Sequence, residues 1–110
     1  MQVTSDTIQL TTAQAIIRWL SNQYIDVDGK EMRVCGGGFG IFGHGNVTCL
    51  GEALYDHRDA LPLYHGQNEQ SMGFAAAGYA KAWLRQRFMF CTASAGPGTA
   101  NLLTAAGLAH

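Results

Sequence analysis

Three short apolar runs alternate with helical stretches, and each run is closed by a glycine-bearing break; this alternation constrains the fold more than any other feature. Gly36-Gly37-Gly38 leads into Phe39–Phe42, which stops at Gly43-His44-Gly45-Asn46. Leu61–His65 stops at Gly66-Gln67-Asn68, and Phe88–Thr92 stops at Ser94-Ala95-Gly96-Pro97-Gly98. Runs so poor in charge are read as strands buried on both faces, which is the habit of parallel sheets. Between and after them, Leu50, Ala53 and Leu54 predict a short helix ending near His57. A longer helix is predicted from Gln70 to Arg85, opening at Glu69, and a third from Thr99 to Ala109. An acid at the start of the long helix and bases at its end suit the helix dipole. The expected class is α/β: a three-layer α/β/α arrangement around a parallel sheet with right-handed crossovers. Ligands of such sheets bind at the carboxyl ends of the strands, which selects the loops 43–46, 66–69 and 94–98.

Upstream, a polar arm precedes Thr11-Thr12-Ala13-Gln14, which has the spacing of a capping box. Ile16, Ile17, Leu20 and Tyr24 follow at helical intervals, so a first helix is expected to about Gln23. Asp26 to Lys30, centred on Asp28-Gly29, carries turn chemistry and reads as a connector. The arm and first helix occupy 1–33, and the sheet-forming part occupies 34–110.

The 110 residues suffice for one domain at most, and a complete cofactor enzyme would be a tight fit. Charged residues make up 14% of the chain, against roughly 25% in typical soluble domains, so some apolar surface is expected to meet a partner. A formal charge of -1 provides no electrostatic footprint for nucleic acid or an anionic membrane. Lys81, Arg85 and Arg87 read as the polar end of a helix. Cys35, Cys49 and Cys91 are odd in number and form no C-x-x-C pair, which suggests neither a disulfide framework nor a zinc ribbon and suits a reducing cytoplasm. No apolar run approaches a membrane span, and the first nine residues are too polar for a signal peptide.

Several motifs have both a plain and a functional reading. Gly38-Phe39-Gly40-Ile41-Phe42-Gly43 satisfies G-x-G-x-x-G, but the glycines bracket the strand's own apolar residues, and the next strand ends in His65-Gly66 where a ribose-binding acid would stand. Glu69 reads plainly as a dipole-favouring acid. Its functional reading is a carboxyl in a poorly solvated crevice whose proton affinity rises enough to share a proton with a heterocycle. Ser94–Gly98 is a strand-to-helix turn with Pro97 near the first helical position, or a ligand-facing wall with free amide donors. His44, between two glycines, is a candidate to meet substrate or an ordinary hydrogen-bonding group. His57, His65 and His110 lack metal-ligand spacing with one another or with the cysteines. Ser94 lacks the nucleophile elbow. Trp19 and Trp83 are expected in the core or at an interface.

Gln67-Asn68-Glu69-Gln70-Ser71-Met72-Gly73-Phe74-Ala75-Ala76-Ala77-Gly78-Tyr79-Ala80-Lys81-Ala82, followed after a strand by Ser94-Ala95-Gly96-Pro97-Gly98-Thr99-Ala100-Asn101, resembles the pyrimidine-domain signature of thiamine-diphosphate enzymes of the acetolactate synthase type. The likeness covers about Leu10 to His110. Phe39–Val47, Asn22-Gln23-Tyr24 and Val27-Asp28-Gly29 are most similar to the branch that hydrolyses a carbon–carbon bond of a cyclic trihydroxy-dione in inositol catabolism. The resemblance implies that Glu69 is the catalytic carboxyl that hydrogen-bonds the aminopyrimidine ring, while the thiazolium serves as electron sink. It further implies that Gly96, Pro97 and Gly98 wall the cofactor pocket, and that His44 and Gln67 are candidates to meet a small-molecule substrate.

In the family, Mg2+ and the diphosphate are held by a diphosphate-binding domain, and the site forms between subunits of a homodimer or homotetramer. The Gly-Asp-Gly…Asn signature of that domain appears nowhere here. The chain is therefore expected to be an incomplete pyrimidine-binding domain, inactive alone. Two alternatives stand beside this reading: a fragment of an acetolactate synthase-like carboligase or decarboxylase, and a self-contained nucleotide-binding or interaction module.

Overall fold

The computed structural model describes residues 6–110; part of the polar arm lies outside them. Helix α1 (Thr12–Ser21) begins as its capping box dictates: Thr11 Oγ1 accepts from Gln14 N at 3.2 Å, and Gln14 Oε1 accepts from Thr11 N at 2.9 Å. Its buried contact with the rest of the molecule is centred on Ile17.

The expected connector at 26–30 is the turn of a β-hairpin. Strands β1 (Tyr24–Val27) and β2 (Lys30–Arg33) pair antiparallel, with Val27 opposite Lys30. Asp28 and Gly29 both have positive φ, 53° and 81°, as a two-residue hairpin turn of right-handed twist requires. Asp26 Oδ1 adds a bond from Gly29 N at 2.8 Å.

The second sheet is parallel and runs in the order β4-β3-β5, with β3 (Cys35–Gly40) between β4 (Leu63–His65) and β5 (Phe88–Thr92). The expected strand at Phe39–Phe42 is thus displaced: the glycine trio belongs to the strand, and Ile41 and Phe42 follow it. Alternate residues explain the choice. On one face a β-carbon at Gly38 would overlap the Phe90 ring, and one at Gly40 would press Thr92 and Leu63 at 3.1 and 3.2 Å. On the other face, a β-carbon at Gly36 would overlap the Tyr79 hydroxyl. Large side chains on neighbouring elements fill the space these glycines leave.

Helix α2 (His44–Asp56) joins β3 to β4 and packs beside α1 on the Phe90 face, where Ile17, Cys35, Ala53, Leu54 and Leu61 form the buried core. It begins at His44, so the expected loop 43–46 is reduced to Gly43 at the helix N-cap. Helix α3 (Glu69–Ala82) crosses to β5 on the opposite face, where Met72, Met89 and Ala105 are buried. It ends three residues before Arg85, because Leu84 and Arg85 take left-handed conformations (φ 53° and 63°) and Arg85 N bonds back to Ala80 O at 2.7 Å. Arg85 and Arg87 accordingly lie beyond the helix; the Arg87 guanidinium stands over Trp83 at 5.0 Å and its Nε donates to Arg33 O.

The last expected helix is divided into α4 (Pro97–Asn101) and α5 (Leu103–Ala109), the latter packed on α3 through Ala105 against Gly73. Trp19 and Trp83 are exposed, so neither is a core residue. The three cysteines are free, and among the described residues no helix is long and apolar enough to cross a membrane.

Gly37 marks the point where β3 tolerates least. Its φ is 125°, and a β-carbon there would run into the backbone carbonyl of Pro62, whose oxygen also accepts Gly38 N at 3.0 Å. Gly37→Ala is expected to cost about 2 kcal/mol or more, read as a lowered denaturation midpoint. Gly78→Ala, at an open helical position, is expected to be neutral or to stabilise by about 0.5–1 kcal/mol.

Candidate functional site

All three parallel strands end on the same side, and the segments that leave them meet there. After His65 the chain turns at Gly66, whose bare α-carbon lets the buried Met72 side chain sit against it. Asn68 then caps α3, its Oδ1 accepting from Ser71 N at 3.0 Å. Capping at Asn68 fixes Glu69 as the first residue of the helix. Its carboxylate is half-buried and aimed at the chain that leaves β5.

That outgoing chain is a locked turn. Gly96 takes a positive φ of 74°, Pro97 starts α4, and the Ser94 carbonyl accepts both Thr99 N at 3.0 Å and Thr99 Oγ1 at 2.8 Å. The lock buries Gly98 against Glu69: a β-carbon at Gly98 would lie 3.1 Å from Glu69 Oε1 and would overlap Ser94 Oγ. Three residues on, Asn101 Nδ2 donates to Glu69 Oε2 at 2.9 Å. One oxygen of the carboxylate is therefore held by a side-chain amide, and the other faces a glycine.

Here an expectation is corrected. The Glu69 carboxyl is held below its ordinary range, not above it, first by the Asn101 amide and then by its own backbone N–H, with burial opposing them more weakly. A depressed carboxyl supports the fold fully above the ordinary carboxylate range, and that support is lost as pH falls through the lowered value.

On the same side of the sheet a cleft of about 300 Å³ is lined by Gly43, His44, Gly45, Asn46, Ser94 and Ala95, and Glu69 is not among its lining residues. It opens between the ends of β3 and β5, which send their following helices to opposite faces of the sheet; such a switch point is where open α/β sheets bind ligands. Gly43 closes its floor against Ser94, 2.8 Å from a would-be β-carbon, and Asn46 Nδ2 reaches Ala93 O at 3.5 Å. Ser94 thus lines the cleft and also lies against Gly98, the residue that faces Glu69.

The sequence candidates divide accordingly. Gly98 is against Glu69, whereas Gly96 and Pro97 are exposed on the same turn. His44 is exposed in the first turn of α2, and Gln67 is exposed in the break before α3. In the G-x-G-x-x-G match, Gly38 and Gly40 serve strand packing and only Gly43 stands at a helix start. Asn101 was not singled out by spacing: it lies 32 residues from Glu69, with no local periodicity linking them. Among the described residues no three His, Cys, Asp or Glu side chains gather as a metal site.

Residues 10–110 match the family model described as thiamine pyrophosphate enzyme, N-terminal TPP binding domain. The chain is 51% identical over 107 residues to the 3D-(3,5/4)-trihydroxycyclohexane-1,2-dione hydrolase of Listeria innocua, covering 97% of this chain and 17% of that protein. It is 52% identical over 107 residues to the enzyme of the same name from Listeria monocytogenes, with the same two coverages. With that of Lacticaseibacillus casei it shares 52% identity over 105 residues, covering 96% of this chain and 16% of the relative. The chain thus spans about a sixth of the length of these relatives. No solved structure matches it. With the family model matched from the first helix to the last residue, the chain belongs to the thiamine pyrophosphate enzymes and corresponds to their N-terminal TPP binding domain.

Proposed function

We propose that this chain is the first part of the pyrimidine-binding domain, polar arm and first helix over 1–33 and sheet-forming part over 34–110, of a cytoplasmic thiamine-diphosphate-dependent hydrolase. Its reaction would be hydrolytic cleavage of a carbon–carbon bond of trihydroxycyclohexane-1,2-dione in myo-inositol catabolism. The observation that carries the proposal is the Glu69 carboxylate, half-buried at the carboxyl ends of parallel strands and clasped by Gly98 and Asn101. The high identity to three hydrolases of that name supports the choice of substrate.

The residues present fit an aminopyrimidine ring. A flat heterocycle needs one carboxyl at its edge and close backbone approach at its face, and here a carboxyl stands at a wall whose Gly98 carries no side chain. In bound form the cofactor would supply an electron sink for the cleaved bond. Glu69 would hold and return a proton at the ring edge, acting as a positioned acid and base. Gly96, Pro97 and Gly98 would supply backbone wall. His44 and Gln67, exposed at neighbouring strand ends, would meet the oxygen atoms of the substrate. Mg2+ and the diphosphate would be bound by the diphosphate-binding domain of a second subunit in a homodimer or homotetramer, with no metal ligand drawn from this chain.

Glu69→Gln keeps the size of the side chain and removes its exchangeable proton. In the full-length enzyme it is expected to lower kcat by about 10²–10⁴-fold with an unchanged circular dichroism spectrum; full activity would overturn the proposal. Gly98→Ala would push its methyl group toward Glu69 Oε1. Displacement of the carboxylate is expected to lower kcat/KM by roughly 10–100-fold, measured with the dione substrate at saturating cofactor.

A further inference from the structure

Asn101 has no chemistry of its own to contribute to proton exchange, yet its placement is specific. It sits on the final turn of α4, at a helix too short to persist unaided. The turn before it is fastened by the two bonds from Thr99 to the Ser94 carbonyl. Gly98 is buried beneath it. These constraints bring a half-buried amide to 2.9 Å from Glu69 Oε2.

We propose that Asn101 is a positioning residue for Glu69: its Nδ2 holds Oε2, so that Oε1, beside Gly98, is the atom left to share a proton with the ring. The inference rests on the functional reading above. An amide suits this task because it donates through Nδ2 and carries no charge. A lysine or arginine in its place would bind the ionised carboxylate more strongly and resist its protonation. The amide also limits rotation of the carboxylate, whose side chain has several rotamers open to it at a helix start. With Oε2 engaged, rotation that exchanges the two oxygens must break the 2.9 Å bond. A donor to a carboxylate oxygen favours the ionised form, and this contact is the first cause that holds the Glu69 carboxyl below its ordinary range.

The test uses the full-length enzyme with thiamine diphosphate and magnesium. Asn101→Ala is expected to lower kcat by about tenfold, the size of a lost hydrogen bond to a charged group. The limb of the pH profile that disappears in Glu69→Gln is expected to move to higher pH, since removal of the amide raises the carboxyl's proton affinity. A residue that only supports the fold would leave that limb in place. A double-mutant cycle supplies a readout apart from turnover: the loss of cofactor affinity caused by Asn101→Ala, measured calorimetrically, should vanish in a Glu69→Ala background. Equal losses in both backgrounds, or an unmoved limb, would overturn the inference. Asn101→Ser, which is shorter but can still donate, guards against failure of the alanine variant to fold and is expected to show a smaller shift in the same direction. If Glu69→Gln itself retains full activity, the functional reading falls; if Glu69→Gln is impaired and Asn101 variants are not, this inference alone falls.

Discussion

Glu69 follows β4 while Gly98 and Asn101 follow β5, and these two strands are not neighbours: β3 lies between them. Two strand spacings amount to about 10 Å, so contact requires the segments beyond the strands to lean toward one another across the end of β3. Three features permit this. β3 ends in Gly40, the chain beyond it turns at Gly43 directly under Ser94, and α3 starts as soon as Asn68 caps it. Bulk at Gly43 or Gly98 would fill the path along which the β5 segment reaches Glu69.

This arrangement governs the chemistry of the carboxyl. Hydrogen bonding favours the ionised form, and the water that still reaches the half-covered side chain keeps the opposing desolvation small. Sharing a proton with a heterocycle, on the proposed reading, needs the reverse balance. The balance can change without movement of Glu69: covering its exposed side would raise the desolvation cost of the charge, and the neutral amide of Asn101 would oppose that rise less than a cation would.

Local signals in the sequence are legible where one residue does one job. Thr11 and Gln14 form their capping box, Asp28-Gly29 makes a turn, Pro97 begins a helix, and Glu69 and Lys81 stand at the two ends of α3. Signals failed where tertiary contact decides the structure. Gly36, Gly37 and Gly38 have no strand propensity of their own, and β3 runs through them because Tyr79, Pro62 and Phe90 press against the chain at those points. The hairpin strands are four residues each and bury no residue fully; β1 alternates between exposed and half-buried positions but β2 does not, so only their turn is visible in the sequence. α3 ends at Ala82, just ahead of left-handed Leu84 and Arg85, where neither glycine nor proline announces a stop. Asn101 escaped for the same reason: its significance lies in a contact 32 residues away.

The arginines show where the molecule spends its few cations. Arg33 donates from Nε to Ser21 O at 2.9 Å, from one terminal nitrogen to Ala60 O at 3.2 Å and from the other to the Tyr24 hydroxyl at 2.8 Å, tying hairpin, α1 and the segment before β4 together. Arg87 in turn donates to the Arg33 carbonyl at 2.9 Å and stacks on Tyr79 and Trp83 at the last turn of α3. Both sit at the amino ends of the parallel strands, Arg33 just before β3 and Arg87 just before β5. Rigidity there is provided by charged donors on backbone oxygens and aromatic faces. At the opposite ends no cation among the described residues contributes to the lowered proton affinity of Glu69. A guanidinium at that end would hold the carboxylate ionised by charge as well as by hydrogen bonding; an amide fixes its direction and leaves its charge free to change.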